Sequence, residues 1–140
     1  MNNKIKLLDG SMSFPLEKKG YNLRDKLWTG KALINDPDLI KNIHKGYIEA
    51  GADYISTATY QISFNRLEEM GYQSDEIKEI FQKSVDLVKD AILESKPKNE
   101  IKIVGSFGPY ASFDPKASEY VGEYISTDDE IMNFHHNNIR

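Results

Sequence analysis

Hydrophobic positions along the chain alternate between short runs rich in β-branched residues and longer stretches with helical spacing. Three short runs predict strands: residues 5–8, residues 54–59 and residues 101–105. The third run is apolar enough to predict a buried strand. Each run leads into glycine or polar sequence, which is typical of a strand that ends in a functional loop.

Longer apolar periodicity predicts helices between these strands. The first helix starts at Asp36-Pro37, because an aspartate can cap free N–H groups and proline suits the first helical position; Gly51 ends it. The second has Ser74 as its predicted cap and breaks at Pro97. One apolar stripe runs along it: Ile77, Ile80, Phe81, Val88, Ala91 and Ile92.

Thr127 with Glu130 forms a capping box that predicts a third helix, and residues 13–26 and 109–126 are predicted loops. The alternation of strand and helix is typical of βαβ units and a parallel sheet. The pattern favours a (β/α) barrel and a flavodoxin-like open sheet equally. In both folds, sites lie at the carboxyl ends of the strands.

Composition narrows the class of protein. The 140 residues fit one domain, and 39% hydrophobic with 29% charged residues is typical of a soluble globular protein. The net charge of −4 is spread without a basic block, so we expect no nucleic-acid partner. No apolar run reaches the roughly 20 residues of a membrane span, and nothing resembles a secretory leader, so we expect a cytoplasmic protein.

Several strings, in this order and at this spacing, resemble the homocysteine S-methyltransferase family. They are Leu8-Asp9-Gly10, Leu27-Trp28, Asn35-Asp36-Pro37-Asp38-Leu39-Ile40, Ala50-Gly51-Ala52-Asp53, Thr57-Ala58-Thr59-Tyr60-Gln61, Gly105-Ser106-Phe107-Gly108-Pro109-Tyr110 and Ser118-Glu119-Tyr120-Val121-Gly122-Glu123-Tyr124. The resemblance implies a (β/α)8 TIM barrel. Residues 1–140 are then its N-terminal part, an incomplete domain with the first three βα units. Its outer strands are expected to lack neighbours.

The resemblance also implies a reaction, the transfer of a methyl group to the sulfur of homocysteine to give methionine. In the family a zinc ion held by cysteine thiolates activates the substrate thiol. Those cysteines lie in the later half of such proteins, whereas this chain contains none. We therefore expect zinc in the complete enzyme, no metal bound by this chain alone, and no activity from it alone.

Two places in the sequence indicate the methyl donor by the same resemblance. Betaine-using members have a tyrosine where this chain has Gln61, and the Gly108-Pro109-Tyr110 string resembles the branch that uses S-methylmethionine. The expected donor is therefore a sulfonium such as S-methylmethionine.

The resemblance implies nine substrate-binding residues. They are Asp9, Gly10, Met12, Trp28, Thr59, Tyr60, Gln61, Ser106 and Tyr110. Asp9 is expected to accept a hydrogen bond from the homocysteine amino group, although an Asp-Gly turn alone also explains it. Trp28 either faces a cationic donor or anchors the core beneath the next helix. The others line the pocket or serve packing and chain turns.

The histidines carry less weight. His135 and His136 are adjacent on a helix, so their side chains diverge by about 100° and cannot share a metal. His44 is expected in a solvated or packing position. A second hypothesis follows from the missing cysteines: a noncatalytic, truncated half-barrel that acts as an assembly or binding module and self-associates through exposed strand edges.

Overall fold

The structure, a computed structural model, describes residues 5–23, 27–113, 124 and 126–139. Two strands, six α-helices and one 3-10 helix are found in these ranges. In chain order they are α1 (Ser13–Lys18), α2 (Thr29–Asn35), α3 (Pro37–Glu49), β1 (Tyr54–Ser56), α4 (Phe64–Glu69), α5 (Ser74–Ser95), β2 (Lys102–Val104), the 3-10 helix (Tyr110–Ser112) and α6 (Asp128–Ile139).

The two strands are parallel and Ile55 pairs with Ile103 at their centre. α5 lies between them in the chain, so β1, α5 and β2 form a βαβ unit as predicted. The prediction that the third apolar run is buried is wrong. Lys102 and Val104 are exposed and Ile103 is only half-buried. The described sheet has two strands, so β2 has β1 on one edge and no strand covers its other edge there.

The first predicted strand, residues 5–8, is reduced to a single bridge between Leu8 and Tyr54. Its backbone still runs parallel to β1: Tyr54 N–H donates to Leu7 O at 3.0 Å and Asp9 N–H donates to Tyr54 O at 2.9 Å. Asp53 holds it further, through Leu7 N–H and the Lys6 ammonium. The ladder is too short to count as a strand, although the segment occupies a strand's place.

Helix boundaries follow the sequence signals with two corrections. Pro37 begins α3, yet the side chain of Asp36 makes no capping hydrogen bond. Ser74 lies inside α5, and Gln73 is its cap, with its own backbone N–H donating to Glu76 Oε2 at 2.7 Å. These two differences in capping leave both predicted helices in place.

At α6 the predicted capping box is confirmed. Thr127 N–H donates to Glu130 Oε2 at 2.7 Å, and Glu130 N–H donates to Thr127 Oγ1 at 3.3 Å. The two bonds satisfy backbone donors that the first turn of a helix leaves unpaired.

Three short helices are missing from the sequence prediction. α1 lies within residues 13–26, which were predicted to be a loop, and α2 and α4 each span only six or seven residues. Such helices are too short for apolar periodicity to be read. They form because each buries side chains in the core, among them Leu16, Leu33 and Leu67.

The main core lies among the helices and the loops that join them, a second cluster forms around Ile55 of β1, and α3 packs along α5. Trp28 is outside it with 52% of its surface exposed, so the interpretation of Trp28 as a core anchor is wrong. His44 is fully buried, in agreement with a packing position. In the described ranges, no helix is long and apolar enough to cross a membrane. The string at residues 118–123 lies outside them.

Candidate functional site

Asp9 follows the strand-like segment and is held by the last residue of β1. Its carboxylate accepts two hydrogen bonds from Ser56, one from the backbone N–H at 2.9 Å and one from the hydroxyl at 2.8 Å. Burial raises the pKa of Asp9 above its ordinary value, while the bonds from Ser56 oppose that rise. The carboxylate is therefore fixed in direction, and a cationic ligand would offset part of its desolvation.

Gly10 lies against the ring of Tyr47, which comes from α3. A Cβ at Gly10 would lie 3.0 Å from the Tyr47 hydroxyl oxygen, so glycine gives the ring room. The Tyr47 hydroxyl donates to Ser11 O at 2.8 Å. Burial, with the nearby charge of Asp9, raises the pKa of Tyr47. Met12 packs against the main core, so the loop is held from both sides.

Two threonines join the ends of β1 and β2. Thr59 Oγ1 donates to Ser106 O at 2.7 Å, and Ser106 N–H donates to Thr57 Oγ1 at 3.0 Å. The two hydroxyls are 2.8 Å apart. Because the Thr59 hydroxyl donates its hydrogen to Ser106 O, the Thr57 hydroxyl is the donor in the hydrogen bond between the two threonines. The ring is closed, and the buried Thr59 hydroxyl has a structural partner on each side.

The Tyr60 backbone contacts the loop after β2. A Cβ at Gly108 would lie 2.4 Å from Tyr60 O and 2.8 Å from Ser112 Oγ, a distance that real Cβ atoms do not tolerate. Glycine is therefore required for the close approach of the two loops. Tyr60 itself is partly exposed.

Trp28 and Tyr110 line one cavity of about 740 Å³. Phe113 and Phe134 add further aromatic rings to its wall. The Tyr110 ring meets that of Phe134 edge to face at 5.2 Å, and its hydroxyl lies 2.5 Å from Ser126 Oγ. Trp28 has a backbone φ of +45°, a region that non-glycine residues rarely adopt. This strain at an exposed aromatic residue is typical of functional positions.

Arg66 of α4 is part of the same cavity wall. Its guanidinium donates to Phe113 O and lies over the Phe113 ring, 5.4 Å from the ring centre. The cavity wall is therefore tied to α4 by a charged hydrogen bond and a cation–π contact.

Seven of the nine predicted residues thus fall into three groups. Asp9, Gly10 and Met12 form one group, and Thr59 and Ser106 share the threonine ring. Trp28 and Tyr110 share the aromatic cavity. Tyr60 and Gln61 lie on the turn that follows the ring.

Three residues of this region were missed in the sequence: Tyr47, Ser56 and Thr57. A signal existed for two of them. Ser56 and Thr57 are polar residues in a strand otherwise suited to burial, and a polar residue there needs a partner. Tyr47 was counted only as an apolar position of α3, and no local pattern links it to Gly10.

Residues 6–140 match the sequence profile of the family described as homocysteine S-methyltransferase. The chain belongs to this family. Homocysteine S-methyltransferase YbgG of Bacillus subtilis is 39% identical over 136 residues, which cover 92% of this chain and 43% of that protein.

Homocysteine S-methyltransferase of Escherichia coli is 36% identical over 135 residues, covering 94% of this chain and 44% of the relative. The crystal structure of homocysteine methyltransferase MmuM from Escherichia coli in its metallated form superimposes with a TM-score of 0.85 at 33% identity. The match covers 99% of this chain and 50% of that one. The chain therefore spans about half the length of the relatives that it matches here.

A zinc site does not fit the residues present. The chain contains no cysteine, and within the described ranges no three histidine, aspartate or glutamate side chains are grouped so that they could hold a metal ion.

Proposed function

We propose that this chain is the N-terminal part of a (β/α)8-barrel enzyme that transfers a methyl group to homocysteine, giving methionine. The observation that carries the proposal is the Asp9 carboxylate, held by Ser56 at the carboxyl end of the strand positions. Sites of parallel α/β folds lie at that end. The family membership supplies the reaction class.

Asp9 is proposed to bind the amino group of homocysteine. Each carboxylate oxygen accepts one hydrogen bond from Ser56, and a carboxylate offers about four acceptor positions in all. Capacity for an ammonium group remains. Since burial disfavours the ionised Asp9 side chain, a bound cation stabilises it, which gives the pocket a preference for a charged amino group.

A sulfonium donor such as S-methylmethionine is proposed for the aromatic cavity beside Trp28 and Tyr110. The indole face of the half-exposed Trp28 attracts a cation by about 0.5–2 kcal/mol. Cavities that bind small molecules typically measure about 300–1,000 Å³, and this cavity of about 740 Å³ lies in that range.

Zinc is proposed for the complete enzyme, with thiolate ligands from polypeptide outside these 140 residues. The residues of this chain do not form such a site, so no step is assigned to them through the metal. Their work is to bind and orient the amino acid and the donor.

The test is methyl transfer from S-methylmethionine to homocysteine by the full-length polypeptide that contains this sequence. With Asp9→Asn we expect the KM for homocysteine to rise at least about tenfold while the KM for the donor stays the same, because one charged hydrogen bond contributes about 1.5–3 kcal/mol.

The matched control is Asp38→Asn, a change at an exposed carboxylate in the first turn of α3. It is expected to leave both KM values as they are. An equal homocysteine KM in the Asp9 variant and the wild type contradicts the proposed role.

A noncatalytic assembly role is the second candidate, favoured by exposed apolar residues at the outer edge of the strand-like segment. Ile5 is 81% exposed and Leu8 62%. Light scattering over a concentration series is the measurement. Self-association that is lost in Ile5→Lys supports this role, and a monomer at every concentration excludes it.

A further inference from the structure

The strand-like segment leaves its ladder with β1 at Asp9. Up to that residue the backbone bonds alternate as in a parallel pair: Tyr54 N–H donates to Leu7 O, and Asp9 N–H donates to Tyr54 O. The next rung of a regular parallel ladder joins Ser56 N–H to the backbone carbonyl of Asp9. Ser56 N–H donates instead to Oδ2 of the Asp9 side chain, at 2.9 Å. The carboxylate therefore takes the place of a backbone acceptor at the end of β1.

The side chain of Ser56 adds a second bond that the ladder does not require. Its hydroxyl donates to Asp9 Oδ1 at 2.8 Å, so each carboxylate oxygen is held by a donor of the same residue. Any residue except proline supplies the backbone N–H at this position, whereas the hydroxyl bond depends on the side chain. Ser56 is on the face of β1 opposite to the buried Ile55 and is only half-buried. Burial of apolar surface therefore does not explain a serine here.

The charge on Asp9 depends on these two bonds. Burial raises the pKa of Asp9, and the backbone and side-chain hydrogen bonds from Ser56 lower it. From α3, the titratable neighbour is Tyr47, and burial together with the charge of Asp9 raises the pKa of its phenol. That phenol is neutral wherever Asp9 titrates, and β1 contributes the uncharged Ser56. Loss of the Ser56 hydroxyl is therefore expected to raise the pKa of Asp9.

We propose that Ser56 is a positioning residue for homocysteine: its hydroxyl holds the Asp9 carboxylate in one orientation, with the free acceptor positions open to the ammonium group of the amino acid. This role rests on the proposed function of Asp9 and deepens it, since Ser56 acts only through that carboxylate. A serine hydroxyl has one hydrogen, and Ser56 donates it to Asp9. The hydroxyl has no second hydrogen to donate to a substrate carboxylate.

The test compares homocysteine KM values across a pH series in the full-length polypeptide that contains this sequence. Ser56→Ala removes the hydroxyl, Ser56→Thr keeps it in a residue suited to strands, and Asp9→Asn removes the charge. The structural control is Ser84→Ala. The buried Ser84 hydroxyl accepts a hydrogen bond from Ala58 N–H at 2.9 Å, so its loss destabilises a different part of the fold.

We expect Ser56→Ala to raise the homocysteine KM about two- to tenfold at pH 7, the effect of one hydrogen bond, with the donor KM unchanged. As the pH falls, its KM begins to rise at a higher pH than in the wild type, because Asp9 takes up its proton earlier. Ser56→Thr keeps the wild-type pH profile. Ser84→Ala lowers the melting temperature without moving that profile. A KM for Ser56→Ala that is raised equally at every pH shows direct contact of the hydroxyl with substrate and overturns the inference.

A measurement without substrate follows Asp9 itself. Carbon-13 NMR of the same polypeptide, labelled at the aspartate carboxyl groups, gives the titration of Asp9, which is assigned through the signal that Asp9→Asn removes. That signal is expected to titrate at a higher pH in Ser56→Ala than in the wild type or Ser56→Thr. Equal titration in Ser56→Ala and the wild type overturns the role of Ser56. Failure of the proposed function has a different result: Asp9→Asn leaves the homocysteine KM as it is at every pH.

Discussion

His44 makes the stability of this chain depend on pH in a predictable window. The side chain is fully buried, and among the residues that the structure describes neither ring nitrogen has a hydrogen-bond partner. Burial lowers the pKa of His44 from 6.5 to about 4, because the charged imidazolium loses its water. The unfolded chain therefore takes up a proton at a pH where the folded chain stays neutral.

This difference in pKa between the folded and the unfolded chain determines how the stability changes with pH. Between pH 6.5 and about 4 the unfolded state binds more protons, so the free energy of unfolding falls as the pH falls. At about 1.4 kcal/mol for each unit of pKa, the whole window corresponds to about 3 kcal/mol. Most domains have only about 5–15 kcal/mol of stability in total, so the loss is easily measured.

We expect His44→Leu to remove this part of the pH dependence. Urea unfolding followed by circular dichroism at pH 7, 6 and 5 gives the free energies. The wild type is expected to lose about 2 kcal/mol from pH 7 to pH 5 that the variant does not lose. At pH 7 the variant is expected to be at least as stable, because the unpaired ring nitrogens are gone.

The ion pairs of Glu94 do not produce this slope between pH 7 and pH 5. Glu94 on α5 binds Lys45 and Lys41 of α3, and the hydrogen bond from Lys45 is the main cause of its lowered pKa. That contribution is lost only as the pH falls below 4.5. The control is His136→Leu at an exposed position of α6, which is expected to leave the wild-type slope. Equal slopes for His44→Leu and the wild type refute the reasoning.

Two further changes test the loop contacts. Gly108→Ala introduces a Cβ only 2.4 Å from Tyr60 O, so it is expected to lower the free energy of unfolding by about 1–3 kcal/mol. The control Gly46→Ala, at an open position of α3, is expected to raise that free energy by about 0.5–1 kcal/mol. Equal effects of the two changes in thermal melts contradict the close approach. Thr57→Val breaks the ring with Thr59 and Ser106 and is expected to cost about 1–3 kcal/mol. Thr57→Val and Thr59→Val together are expected to cost less than the two changes added, since they break the same ring; strict additivity in urea unfolding is evidence against it.

The sequence predicts the long elements well. α3 and α5 have strong apolar periodicity, and the capping box of α6 has the expected hydrogen bonds. The short elements fail for a common reason. α1, α2 and α4 are each too short to show a period, and their stability comes from side chains such as Leu16 that other segments cover.

For the candidate site, the sequence shows the residue types but not their partners. Strings such as Leu8-Asp9-Gly10 and Thr57-Ala58-Thr59-Tyr60-Gln61 are sufficient to recognise the family, because recognition needs only residue types at fixed spacings. The partners of those residues are far away in the chain: Ser56 is 47 residues from Asp9, and Ser106 is 47 residues from Thr59. No local pattern encodes such pairs.

Local chemistry in the sequence was thus enough for a mixed α/β fold with parallel strands, the long helices and the family. Which atoms meet was settled by packing. Segments brought together on folding produce the backbone contact at Gly108, the ring of two threonine hydroxyls, the exposed position of Trp28 and the burial of His44. Burial and hydrogen-bond satisfaction are properties of the assembled core, so they depend on distances that a linear chain does not contain.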